Sequence, residues 1–228
     1  MKRILAAVAV MAAGGAAQAA TIDTSNWTST AAPADNQLYY QNYWTTGGTS
    51  ASIGRNAHTT LVSDFSLNGD FTYTGTMRAT SDNDNMGVVF GWTDTSNHYR
   101  MGWEGNGYWD GGSSTENGFW LIVENGGTDT VLANVSNLYW TLNVTYDFSI
   151  SRSGNDITYS IMQGLTTITS GTVTDSTFLS GNVGVYVESN YSQFSNLAAS
   201  ETSAVPLPAT LPLLLAGFGG LAALRRRG

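Results

Sequence analysis

The chain has 228 residues, with nine Lys and Arg against seventeen Asp and Glu, 42% apolar residues, 11% aromatic residues and no cysteine. That length and apolar content suit one domain of sandwich size with a sizeable core. The missing cysteine excludes a disulfide framework, thiolate metal sites and cysteine nucleophiles, and the acidic balance excludes nucleic acid as a partner.

Lys2 and Arg3 precede an apolar run over residues 4–13, and small residues follow to Ala17-Gln18-Ala19. This is the pattern of a secretory signal peptide, predicted over residues 1–19, because the apolar run is too short to span a bilayer. The body, residues 20–204, holds all seventeen acidic residues but only four arginines and no lysine.

The body reads as strand after strand. Phe71, Tyr73, Gly75 and Met77 alternate with Thr72, Thr74, Thr76 and Arg78, and the pattern returns in Val88, Phe90 and Trp92 and in Tyr99, Met101 and Trp103. Further strands are predicted over residues 38–44, 59–66, 119–124, 130–135, 145–151, 156–162, 166–173, 183–187 and 193–198. Asn125-Gly126-Gly127 and Ser153-Gly154-Asn155 are hairpin connections that need residues tolerant of positive φ. Many short strands in one domain predict an all-β, two-sheet antiparallel sandwich of jelly-roll type, a single closed barrel being the alternative.

The stretch SDNDNMGVVFGWTDTSNHYRMGWEG, residues 81–105, resembles the acidic turn and strand pair of thrombospondin carboxy-terminal and laminin-G-like domains. LSGNVGVYVESNYSQFSNLA, residues 179–198, resembles the closing strands of concanavalin A-like sandwiches. The resemblance implies the concanavalin A-like jelly roll, a scaffold that hosts lectins, glycosidases and adhesive modules alike. It also implies calcium at the turn Asp82-Asn83-Asp84-Asn85. Calcium takes six to eight oxygens, and Asp82, Asp84, their asparagine neighbours and backbone carbonyls supply several, with Asp94 as a distant ligand. The alternative is an acidic turn exposed to solvent.

WEGNGYWDGGSSTENGFW, residues 103–120, sets aromatic faces beside amides and carboxylates, the mixture that sugars require. Trp103, Glu104, Asn106, Tyr108, Trp109 and Asp110 are the candidate glycan-binding residues; in the alternative, Trp103 and Trp120 belong to the core. No catalytic residue is predicted: no E-x-D-x-x-E or G-x-S-x-G run occurs, and His58 and His98 are isolated. The rival class, a glycan-degrading enzyme, would need two carboxylates about 5 to 9.5 Å apart in an open groove.

Residues 205–224 contain one polar residue, Thr210, and are long enough at about 1.5 Å per residue to cross about 30 Å of hydrocarbon. Arg225, Arg226 and Arg227 then stay in the cytoplasm by the positive-inside rule, which leaves the body outside the inner membrane. Val205-Pro206-Leu207-Pro208-Ala209, an apolar helix and an arginine cluster together resemble the VPLPA variant of the PEP-CTERM sorting signal of Gram-negative bacteria. The resemblance implies processing by an exosortase after transient anchoring through the helix. It also implies a destination on the cell surface or in an exopolysaccharide matrix. The expectation is an exported, non-enzymatic adhesion or carbohydrate-binding sandwich.

Overall fold

The computed structural model describes residues 20–31, 43–107 and 117–201. The signal peptide predicted over 1–19, the sorting segment expected over 205–228 and most of the strand expected over 38–44 lie outside them. Among the described residues no helix is long and apolar enough to cross a membrane.

In chain order the elements are β1 (Ala20–Thr21), a 3-10 turn (Thr24–Asn26), β2 (Thr28–Ala31), β3 (Trp44–Gly47), β4 (Ser50–Ile53), β5 (Thr59–Asn68), β6 (Phe71–Ser81), β7 (Asn85–Asp94), β8 (Asn97–Trp103), β9 (Phe119–Asn125), β10 (Thr128–Val135), β11 (Tyr146–Ser153), β12 (Asp156–Gln163), β13 (Thr166–Thr174), β14 (Ser180–Glu188) and β15 (Tyr191–Glu201). Sheet A runs β13-β12-β11-β6-β15-β4-β3, with β1 pairing β15, and sheet B runs β10-β9-β8-β7-β14-β5-β2. Both are open, so the sandwich stands and the closed barrel falls. The two predicted hairpins form, with Gly126, Gly127 and Gly154 at φ 61°, 75° and 58°.

Alternation dictates the core. Phe71, Tyr73 and Met77 from β6 and Phe148 and Ile150 from β11 meet Val88 and Phe90 from β7, Tyr99, Met101 and Trp103 from β8, and Phe119, Leu121 and Val123 from β9. Phe71 meets Phe90 edge-on at 6.2 Å, and Phe119 stacks on Tyr159 of β12 at 5.1 Å, so aromatic pairs tie the sheets together where no disulfide exists. Each fully buried side chain of this size stabilises by about 1.5–3 kcal/mol.

One expectation is corrected. Val88, Phe90 and Trp92 do not share a face, because Gly91 adopts φ 56° and the β7–β8 register shifts beyond Phe90. The bulge keeps Phe90 inside and turns Trp92 to the opposite side of sheet B. The strands β1, β2 and β4, two to four residues long, carry no alternation long enough to predict.

Candidate functional site

The outer face of an antiparallel sheet is ordinarily polar and wet. The outer face of sheet B instead carries a second apolar cluster, Val62, Val89, Trp92, Trp120, Ile122 and Tyr186, separate from the core. The register lays it out as a grid. Trp120 lies opposite Gly102, Gly102 opposite Gly87, and Gly87 opposite Tyr186. Only glycine fits the two middle positions: a Cβ on Gly102 would sit 2.1 Å from the Trp120 ring and 2.2 Å from the Tyr186 hydroxyl, and one on Gly87 would sit 2.0 Å from the Met101 carbonyl oxygen. The bare backbone lets the two rings lean inward until their centroids are 6.1 Å apart.

In the next row Arg100 stands between Ile122 and Val89. Its guanidinium lies 5.1 Å from the Trp120 ring centroid and 5.6 Å from that of Tyr186, and Nη2 is 3.3 Å from Asp129 Oδ2. One row further, His98 faces Glu124, and Glu124 faces Asp129 on β10. Trp92 packs on the His98 ring at 4.5 Å.

Burial, helped by the Arg100 charge, pushes His98 down to about 3, so the ring is neutral near pH 7. Its Nδ1 lies 3.3 Å from the Asp94 carbonyl oxygen and therefore carries the proton. Nε2 is left as an acceptor, 3.6 Å from Glu124 Oε2 and beyond hydrogen-bond range. At the other end of the grid the Trp120 Nε1–H is buried and has no partner among the described residues. Burial outweighs the attraction of Arg100 and raises the Asp129 carboxyl. The face is closed in this structure: Trp120 is 0%, Tyr186 1% and Arg100 8% exposed.

The residues expected around the glycine-rich loop fare differently. Trp103 pairs with Phe119 and Met86 and points into the core, with its Nε1–H donating to the Leu138 carbonyl at 2.6 Å. Glu104 is buried as well and accepts the Gly118 N–H at 2.7 Å, which holds the strand entering β9. These two serve the architecture rather than a surface, because Trp103 falls on the inner side of β8. Asn106 is exposed, and its carbonyl accepts from Asn83 Nδ2 at 3.3 Å. Tyr108, Trp109 and Asp110 lie outside the described residues. No local pattern announces the grid, since its members come from β5, β7, β8, β9, β10 and β14 and meet only through pairing.

The acidic turn joins β6 to β7. Asp82 adopts φ 71° and accepts from Asn56 Nδ2 at 3.1 Å. Asn85 Nδ2 donates to Glu188 Oε2 at 3.2 Å, His58 Nε2 lies 3.1 Å from Glu188 Oε1, and Asn190 Nδ2 donates to the Asp84 carbonyl at 2.6 Å. Burial, with the charges of Asp82 and Glu188 beside it, pushes the Asp84 carboxyl up to about 7. Asn85 Oδ1 and Asn190 Oδ1 are buried with no partner among the described residues. Asp94 stands at the far end of β7, about 30 Å away at about 3.3 Å per residue, and cannot join Asp82 and Asp84. Among the described residues, no three His, Asp or Glu side chains form a group able to hold a metal ion.

No family profile and no curated protein matches the sequence. Solved structures do match the fold. The carbohydrate-binding module CBM66 from Bacillus subtilis is 16% identical, covering 77% of this chain and 98% of that one at a TM-score of 0.54. The exoplasmic/lumenal domain of VIP36, bound to Ca2+ and Man3GlcNAc, is 10% identical over 83% and 93% at 0.55. A candidate glycosyl hydrolase from Parabacteroides distasonis is 13% identical over 72% and 93% at 0.51. The body thus has the jelly-roll sandwich fold of these structures.

Proposed function

We propose that this chain is an exported surface or matrix protein whose sandwich binds carbohydrate, without cleaving it, on the outer face of sheet B. The observation that carries the reading is a pair of groups on that face with no hydrogen-bond partner among the described residues, a buried Trp120 N–H donor and the His98 Nε2 acceptor, set among aromatic rings and an arginine. A sugar hydroxyl both donates and accepts, and its C–H face suits the rings. The neighbours CBM66 and VIP36, a carbohydrate-binding module and a protein seen with a mannose oligosaccharide, support the same reading. Binding requires the closed face to open.

The sequence features at both ends support export, anchoring through residues 205–224 and exosortase processing at Val205–Ala209. Calcium at the acidic turn is a further part of the reading. Asp82 and Asp84 would hold it, with the orphaned Asn85 and Asn190 oxygens as the remaining hard donors. VIP36 structures contain Ca2+.

A second reading, glycan hydrolysis, draws on one observation: Glu124 and Asp129 are direct cross-strand partners on this face. The ion pair of Asp129 with Arg100 favours binding over acid–base work. A glycan array on the purified protein, followed by product analysis of every bound glycan, tests both. Retention of intact glycan supports binding, cleavage supports hydrolysis, and an empty array refutes both.

A further inference from the structure

A second polar surface lies on the opposite side of the sandwich. On the outer face of sheet A, Thr74 of β6 sits opposite Ser149 of β11, and Ser149 sits opposite Ser160 of β12. At about 4.8 Å between strands this row covers about 10 Å, the length of a disaccharide. Hydroxyls around it are tied to one another: Thr158 to Thr172 at 2.8 Å and Thr76 to Ser195 at 2.7 Å. The hydroxyls of Thr74, Ser149 and Ser160 have no such partner among the described residues.

The row floors a groove of about 320 Å³ that Asp147, Met162 and Asn196 also line. Asp147 and Asn196 are both exposed, and neither is engaged by a described side chain. Asn196 occupies a bulge of β15, where the register shifts between Ser195 and Ala198, and it holds φ 53°. Left-handed backbone at a non-glycine strand residue is strained, and bulges of this kind re-aim a side chain.

We infer that this groove is a second carbohydrate site, taking a neutral segment of about two sugar units. The three hydroxyls donate and accept, Asp147 accepts from adjacent sugar hydroxyls, Asn196 does both, and Met162 offers an apolar patch to the C–H face. Among the described residues no cation lines the groove, and the acidic body repels polyanions, so the ligand is neutral. Sites on opposite faces would let one molecule bridge two polysaccharide chains. The inference uses no residue of the sheet B face, so the two sites stand or fall separately.

Methyl-13C methionine NMR on the purified protein reads this groove directly, because Met162 lines it while Met77, Met86 and Met101 are buried in the core. The probes are cellotetraose, mannotetraose and maltotetraose, with tetragalacturonate as the anionic control. Met162 should shift with at least one neutral probe and not with the control. Asp147→Ser with Asn196→Gly, which retains a residue suited to the left-handed backbone, should weaken that titration at least tenfold at unchanged Tm. The Arg100→Lys variant should titrate at Met162 as the unmodified protein does. A Met162 signal fixed with all three neutral probes, or equal titration in the double variant, overturns the inference.

Discussion

Trp120 on β9 and Tyr186 on β14 are three strands apart in sheet B, yet their ring centroids lie 6.1 Å from one another. Strand spacing alone would hold their backbones about 14 Å apart. The two glycines between them, Gly102 and Gly87, remove the side chains that would otherwise fill the gap. The site is therefore built as much from missing side chains as from those present.

Gly102→Ala tests this directly. A methyl group there has no room beneath either ring, so both must move. Overpacking of this kind costs about 1–3 kcal/mol. The expected result is a lowered Tm together with weakened glycan binding, whereas Gly126→Ala, at a hairpin tip with nothing within 4 Å, should leave binding unchanged.

Two groups give stability opposite pH dependences. His98 is pushed down to about 3 from 6.5, so its contribution is present above pH 6.5 and is lost as pH falls towards 3, with a slope approaching about 1.4 kcal/mol per pH unit. Asp84 is raised from 3.8 to about 7, so its contribution is present below pH 3.8 and is lost as pH rises through 7. Urea denaturation at a series of pH values should show His98→Gln removing the acid-side loss and Asp84→Asn removing the loss between pH 4 and 8.

Calcium at millimolar concentration should raise the Tm, since a ligand confined to the folded state adds RT ln(1 + [L]/Kd), about 1–2 kcal/mol for a submillimolar site. Because calcium favours the ionised Asp84, the increment should grow from pH 6 to pH 8. Asp82→Asn with Asp84→Asn should abolish it, and Asp94→Asn, at the other end of β7, should not. An undiminished response in the double variant would remove the turn as the site.

Much of the fold was legible because alternation is a local property. Phe71, Tyr73 and Met77 declared one face of β6, and Asn125-Gly126-Gly127 declared the β9–β10 hairpin. The site was not legible. β7, β8 and β9 are buried on both sides, so period-two patterning cannot tell the inner face from the outer. Trp103 and Trp120 looked alike in sequence, yet pairing of Trp103 with Phe119 and of Gly102 with Trp120 sends them to opposite faces. Arg100 and Tyr186 join through strand order across 86 positions of chain, which no spacing rule encodes.

The proposed exosortase processing has its own test. Intact-mass analysis of surface protein from cells with a matching exosortase should find a chain beginning near Thr21 and altered between Pro206 and Ala209. An unaltered end at Arg225 to Gly228 would count against processing.

Carbohydrate binding on the outer face of sheet B is proposed to run through Arg100 and the rings beneath it. Arg100→Lys keeps the charge opposite Asp129 but removes the planar guanidinium stacked on Trp120 and Tyr186. The deciding measurement is calorimetric titration of the protein and this variant with the tightest glycan from the array, with Met162 NMR separating the groove on sheet A. At least a tenfold loss of affinity at the sheet B site is expected, with a Tm within a few degrees of the unmodified protein. Undiminished affinity in Arg100→Lys, or no glycan bound by the unmodified protein, would contradict it.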